Sequence, residues 1–320
     1  MMTARNIYIA KVLIAMGLSL LITLLLIIPA SAKTLKTGLD DPYRIEEFNI
    51  NAPGELEVRT SGGHITVEAS ETDLVRVEMY VRRGGRELSP SDTDLDDFDI
   101  NISQSGSTVK AIAEKESKFW NWGRNNLSIS FVVYTPREMQ TRLRTSGGHI
   151  SVSGIEGNQR LSTSGGHLEM TNMRGIVEAR TSGGHIEIRD FAGQMDARTS
   201  GGHIEAEQAE GSINLRTSGG HIALKQIAGS IEARTSGGNI EAELTGVDEG
   251  VTLNTSGGHI NISVPDGIAL NIDLKGSRVS TRLNNFTGEV ERDEVSGSLN
   301  GGGPTLSART SGGRVRISYN

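Results

Sequence analysis

The chain has 320 residues, with 40 Gly, 7 Pro, no Cys and only 4% aromatic residues. Without an every-third-residue Gly period collagen is excluded, and without Cys there is no disulfide framework, Cys-ligated metal or thiol nucleophile. Lys plus Arg number 32 against 39 Asp plus Glu, and the resulting net charge of −7 argues against a dedicated nucleic-acid binder.

At the N-terminus, Arg5 and Lys11 precede an uncharged apolar run from Val12 to Pro29, followed by Ala30-Ser31-Ala32. A positive start, an apolar middle and an A-x-A exit describe a secretory signal peptide over residues 1–32. The run over 12–29 is also just long enough to span a bilayer, so an uncleaved membrane anchor is the alternative. Both readings export the remainder to the periplasm, the cell surface or the medium. Cleavage would remove Arg5 and Lys11 and take the net charge from −7 to −9 (−7 − 2).

Residues 33–144 hold one TSGG copy, at Thr60, and four expected strands: Leu74–Val81, Phe98–Ser103, Thr108–Ala113 and Leu127–Tyr134. Ser89–Asp97 and Lys118–Asn126 read as loops. This stretch is expected to be an irregular β module capping the first regular rung, because an open parallel edge would recruit other chains. Both tryptophans of the chain, Trp120 and Trp122, sit in the second loop. Concentrated there, they are candidates for contact with a glycan, a partner or a membrane surface, or else close the core of the cap.

Residues 145–264 are dominated by a repeat. TSGG begins at Thr145, Thr163, Thr181, Thr199, Thr217 and Thr235, always 18 residues apart, then at Thr255 and Thr310. Each 18-residue unit splits into two nonapeptides, since every ninth residue from Gly148 to Gly238 is Gly. Apolar residues come two and four positions after each of these glycines, with Gln159 as the one exception. Alternate positions on a strand share a face, so each nonapeptide supplies a short strand with two inward side chains. Gly and Ser are expected to turn the chain between strands, Gly by adopting positive φ. A third apolar column, Ile155, Met173, Phe191, Ala209 and Ile227, recurs every 18 residues and is expected to plug one corner. The pattern predicts an all-β fold: a parallel β-solenoid with two strands and two turns per 18-residue rung. Residues 265–320 read as irregular C-terminal rungs, interrupted by Pro265-Asp266-Gly267 and Gly301-Gly302-Gly303-Pro304.

The TSGGHI repeats, the N-terminal TSGGHITVEAS copy and the export signal together resemble the bacterial "putative adhesin" family of TSGG-type β-strand repeats, a domain of unknown function. The resemblance covers roughly residues 45–320. It implies a surface or envelope binding role and brings no catalytic residues with it.

All seven histidines come directly after a TSGG: His64, His149, His167, His185, His203, His221 and His259. Stacked rungs align His149 through His221 into a ladder with ~4.8 Å steps. A solvent-facing stack is the first reading, and a zinc or copper array the second, because imidazole is a common ligand. Calcium chemistry of the nonapeptide-roll kind is missing, since GGHIEAEQA has Ile and Ala where GGxGxDxUx needs Gly and Asp. Arg180, Arg198, Arg216 and Arg234 form a column whose like charges Glu178, Asp196 and Glu232 would interleave. Ice binding is discounted because those Arg flank the Thr column.

Near-identical rungs provide no unique acid–base pair, so no catalytic residue and no cofactor are assigned. The resulting expectation is an exported, non-enzymatic solenoid that binds an unknown surface ligand, glycan or protein. A carbohydrate-active β-helix enzyme and a structural envelope protein self-associating end to end are the alternatives.

Overall fold

The computed structural model describes residues 41–320, except 52, 94, 116–126 and 282–283. The signal-peptide stretch and the Trp120/Trp122 loop therefore lie outside the described residues.

The central rungs obey the nonapeptide pattern. Strands Leu168–Arg180, Ile186–Arg198, Ile204–Arg216, Ile222–Arg234 and Ile240–Thr255 lie parallel and carry both halves of their coils. Leu168 pairs with Ile186, Ile186 with Ile204, and Ile204 with Ile222, an offset of one repeat at each step. The fold is an all-β, predominantly parallel solenoid of 18-residue rungs. The 20-residue step from Thr235 to Thr255 is absorbed by register shifts between Leu224 and Ile231, so the TSGG turns stay aligned.

Alternation places the expected residues inside. Ile204, Ala206, Ala209, Ile213 and Leu215 are all at most 3% exposed, whereas outward Glu205 is partly exposed. The third column is buried throughout, from Ile155 to Ile227, and Leu244 extends it. Core volume is balanced rung by rung. The pairs Met170 and Ala179, Ile188 and Ala197, Ala206 and Leu215, Leu224 and Ala233, and Ala242 and Leu253 each combine a large residue with Ala. Such alternation holds the sheet separation constant along the stack. Gln159, the exception, is 1% exposed and satisfied internally: it accepts from Thr141 Oγ1 at 2.5 Å and donates to the Met139 carbonyl at 2.7 Å.

The two turns of a coil use different chemistry: the expected positive φ of Gly holds at one of them and not at the TSGG turn. Positive φ occurs at the corner between the two strand halves, at Asn172, Asp190, Gln208 and Gln226 (φ 52 to 55) and at Gly175, Gly193, Gly211 and Gly229 (φ 111 to 136). No TSGG glycine has positive φ. The second Gly is needed there for space: a Cβ on Gly202 would lie 1.9 Å from the Gly184 carbonyl oxygen of the preceding rung. On the first Gly, Gly201, the nearest atom would be 3.7 Å away, an ordinary contact.

The ends depart from a simple run of rungs in chain order. Gly54–Thr60 and Ile65–Ser70, inside the stretch expected to be a cap, form a rung beside Met139–Thr145 and Ile150–Ser153, with Thr60 opposite Thr145. On the far side of that rung lie Thr108–Lys115 and Leu127–Pro136, also parallel. Antiparallel strands Phe98–Ser105 and Leu74–Arg83 then flank these two, and Arg44–Asn49 pairs with the latter. The four expected strands start where predicted and each runs two residues longer.

At the other end, Thr305–Thr310 and Arg314–Tyr319 insert between the rung ending in Ile260–Val264 and the strands Leu270–Lys275 and Arg278–Thr281. The C-terminal residues are therefore not successive rungs; the last TSGG copy folds back inside. Glu294–Leu299 closes this end antiparallel to Leu270–Lys275, with Phe286–Val290 beside it. The parallel ladder thus gives way to antiparallel hairpins at both ends, which shortens the open edge available for pairing. Among the described residues no helix is long and apolar enough to cross a membrane.

Candidate functional site

The nine TSGG turns stack along one edge of the solenoid and carry the histidines. Each Thr is at most 7% exposed and serves two rungs. Thr199 Oγ1 donates to the Gly184 carbonyl of the preceding rung at 2.8 Å and accepts the Gly202 N–H of its own turn at 3.3 Å. The same pair of bonds recurs from Thr145 through Thr310. Ser and first-Gly amides donate to the preceding Ser carbonyl; Ser200 and Gly201 reach Ser182 at 3.2 and 2.9 Å. Thr is inward, as the parity of the strand indicated.

One amide in each turn, that of the residue after the second Gly, has a side-chain acceptor on the preceding rung. The His203 N–H donates to His185 Nδ1 at 2.8 Å, and His149, His167, His185 and His221 do the same to their predecessors at 2.8 to 3.0 Å. A nitrogen that accepts carries no proton, so the neutral rings bear hydrogen on Nε2. The rings from His64 to His221 stack with centroids 4.7 to 5.0 Å apart and planes within 11°.

This bond explains the exceptions. Asn239 replaces His in an interior turn and supplies Oδ1 to the His259 N–H at 2.8 Å. Ser130 Oγ accepts the His64 N–H at 3.0 Å where the ladder begins. Arg314, which has no acceptor, occupies the last TSGG copy, and its own N–H donates to His259 Nδ1. Sequence reasoning identified the ladder but missed its acceptor role. The available signal was that an acceptor-bearing Asn stands inside the series and Arg only in its final copy.

The stack shapes what the histidines can do. Nδ1 is occupied, leaving an exposed row of Nε2 donors. Parallel rings place these atoms at the ring spacing, whereas two nitrogens ~2.0–2.1 Å from one zinc ion can be at most about 4.2 Å apart. Among the described residues no group of three or more His, Asp or Glu could hold a metal ion. His64 and His203 both titrate below 6.5. Burial is the main cause, followed for His64 by His149 and Arg82, and for His203 by His185 and His221. A shallow groove of about 350 Å³ runs beside His149, His167 and His185, with Glu169 and Glu187 on its wall.

The outward Arg column is neutralised as expected. Arg198 is bidentate to Asp196 at 2.8 and 2.9 Å, Arg180 pairs with Glu178, and Arg234 with Glu232 at 2.6 Å. Arg216, beside Asn214 in its own rung, reaches Glu232 of the next at 2.7 Å.

The sequence matches the Toastrack DUF4097 family over residues 53–318. Comparison with curated proteins finds no match. Among solved structures, the chain is similar to a "putative cell adhesion protein" from Clostridium sporogenes at 11% identity and a TM-score of 0.24, covering 88% of this chain and 100% of that one. It is also similar to a "putative adhesin" from Bacteroides fragilis at 12% identity and a TM-score of 0.39, covering 87% and 96%. A "putative lipid binding protein" from Parabacteroides distasonis gives 14% identity and a TM-score of 0.33, covering 87% and 97%. With most of its length matched, this chain belongs to the Toastrack DUF4097 family.

Proposed function

We propose that the protein is exported and acts as a non-enzymatic, adhesin-like binding scaffold of the cell envelope or surface. The observation that supports this most is the register of the stack. From His64 to His221 the same donor group recurs every 4.7 to 5.0 Å along one edge. Repetition at fixed spacing suits a ligand that is itself repetitive or multivalent, because each further contact forms at high effective concentration. A surface glycan or a protein partner would meet many equivalent weak contacts instead of one deep pocket. Export is supported by the charge pattern and the Ala30-Ser31-Ala32 exit of residues 1–32, with an uncleaved anchor over 12–29 as the alternative.

The test uses the full chain expressed with a C-terminal epitope. Fractionation should place it outside the cytoplasm, with a new N-terminus at Lys33 if the signal is cleaved. The purified protein should be retained on a panel of envelope polysaccharides without depolymerising them, and replacing Trp120 and Trp122 by Ala should reduce retention if that loop contributes. Cytoplasmic location would remove the export reading, and polysaccharide turnover would replace the scaffold by the enzyme alternative.

A further inference from the structure

Most arginines on the long faces of the solenoid have a carboxylate partner; among the described residues Arg144 and Arg174 stand singly without one, and at one place three unpaired arginines gather. Arg180, Arg189, Arg198, Arg216, Arg234 and Arg309 each have a carboxylate partner. At the C-terminal end, Arg278, Arg314 and Arg316 have none within 4.0 Å among the described residues, and all three are exposed. They lie around a cleft of about 620 Å³, lined also by His259, Asn261, Ser280, Thr281 and Val290, with no carboxylate on its wall.

The inserted rung creates this arrangement. Arg314 pairs with Arg278 and Arg316 with Ser280 in parallel register, while Asn261 pairs with Arg316 on the other side. The Arg314 N–H donates to His259 Nδ1 at 3.0 Å, so His259 adjoins Arg314 and its Nε2 is left to donate outward. Across three neighbouring strands the outward groups read His259, Arg314, Arg278 in one row and Asn261, Arg316, Ser280 in the next, at ~4.8 Å steps. Every one of these groups can donate a hydrogen bond, and three are permanently cationic forks. Glu289 and Glu291 flank Val290 in sequence but do not line the cleft.

We propose that this cleft binds a phosphate ester. Three guanidinium groups lining one cleft beside neutral donors exceed what one carboxylate can satisfy, whereas a phosphate offers three terminal oxygens and up to two charges. In a chain whose net charge is −7, an unneutralised basic cleft is a local site for an anion and not part of a generally basic surface. Val290 is 63% exposed on the rim, so the organic part of the ester can be apolar. The cleft would bind phosphate whether or not the long edge serves as a binding scaffold.

Titration of the full chain with inorganic phosphate at low salt, monitored by calorimetry, should show saturable binding. Arg278→Gln with Arg314→Gln and Arg316→Gln should weaken it by about tenfold or more, and Arg198→Gln with Arg234→Gln on the long face should not. Arg314→Gln alone, a single exposed change, keeps the comparison informative if the triple variant folds poorly; a several-fold loss is expected. Co-sedimentation with phosphatidylcholine vesicles containing phosphatidic acid identifies the source. Arg-dependent retention supports a lipid phosphate, and phosphate binding without retention supports a soluble ester. Absence of saturable binding, or equal affinity in the folded Arg variants, overturns the assignment.

Discussion

Adjacent glycines in one turn, identical in chemistry, should respond oppositely to the same substitution. In Gly202→Ala the new Cβ would start 1.9 Å from the Gly184 oxygen, while real Cβ atoms essentially never approach within 3.0 Å. The rungs must therefore part by more than about 1 Å at this point, since the obstacle is backbone and cannot rotate away. Four hydrogen bonds cross between these two turns: Thr199 Oγ1 to the Gly184 carbonyl at 2.8 Å, His203 N–H to His185 Nδ1 at 2.8 Å, and the Ser200 and Gly201 N–H groups to the Ser182 carbonyl at 3.2 and 2.9 Å. Stretching them by that amount forfeits most of each. At ~0.5–1.5 kcal/mol apiece the loss is about 4 kcal/mol. Gly201→Ala meets nothing nearer than 3.7 Å and needs no positive φ, so the reduced freedom of the unfolded chain should stabilise it by about 0.4–1 kcal/mol. Urea melts monitored by far-UV circular dichroism compare the two. Amide exchange at His203 and His221 covers the case in which rungs open locally. Equal effects of the two alanines, or a harmless Gly202→Ala, would refute the close-approach account of the turn.

The remaining predictions concern the core and the ladder. Ile204→Asp buries an unpartnered carboxylate at a site only 1% exposed and should cost several kcal/mol, on the order of 3–5; Glu205→Ala removes only a partly exposed partner of Lys225 and should stay within about 1 kcal/mol in the same melts. His203→Asn should be nearly neutral because Asn239 already performs the same task, whereas His203→Ala leaves the His221 N–H without its acceptor at a cost of about 1 kcal/mol; identical melts for the two variants would argue against the acceptor role. His64 and His203 have folded-state pKa values below 6.5, so the neutral form favours folding. Their contribution is complete above the unfolded pKa and is lost as pH falls through the folded values. The urea midpoint should accordingly drop on acidification below about pH 6.5, less steeply in His203→Asn, and a flat or rising profile would be the contrary result.

Periodicity carried the architecture. Gly at every ninth position with apolar residues two and four later leaves little choice but short strands with one buried face, and an 18-residue repeat makes those strands stack in register. The inward Thr, the third column headed by Ile155 and the interleaving of Arg with acids came from parity along a strand. The His ladder was visible in outline. Its purpose depended on where an amide proton points, and only the turn geometry shows the His203 N–H aimed at an imidazole and not at a carbonyl. The role of the second Gly was hidden for the same reason: the Gly184 oxygen it must clear belongs to another rung. The order of rungs at the ends was beyond a local reading too. Parallel strands pair by register and not by chain order, so the Thr60 and Thr310 copies join the stack across gaps of 85 and 55 residues. That long-range choice places Arg314 and Arg316 between Arg278 and His259 and creates the basic cleft, a juxtaposition of residues up to 57 positions apart that no window of sequence contains.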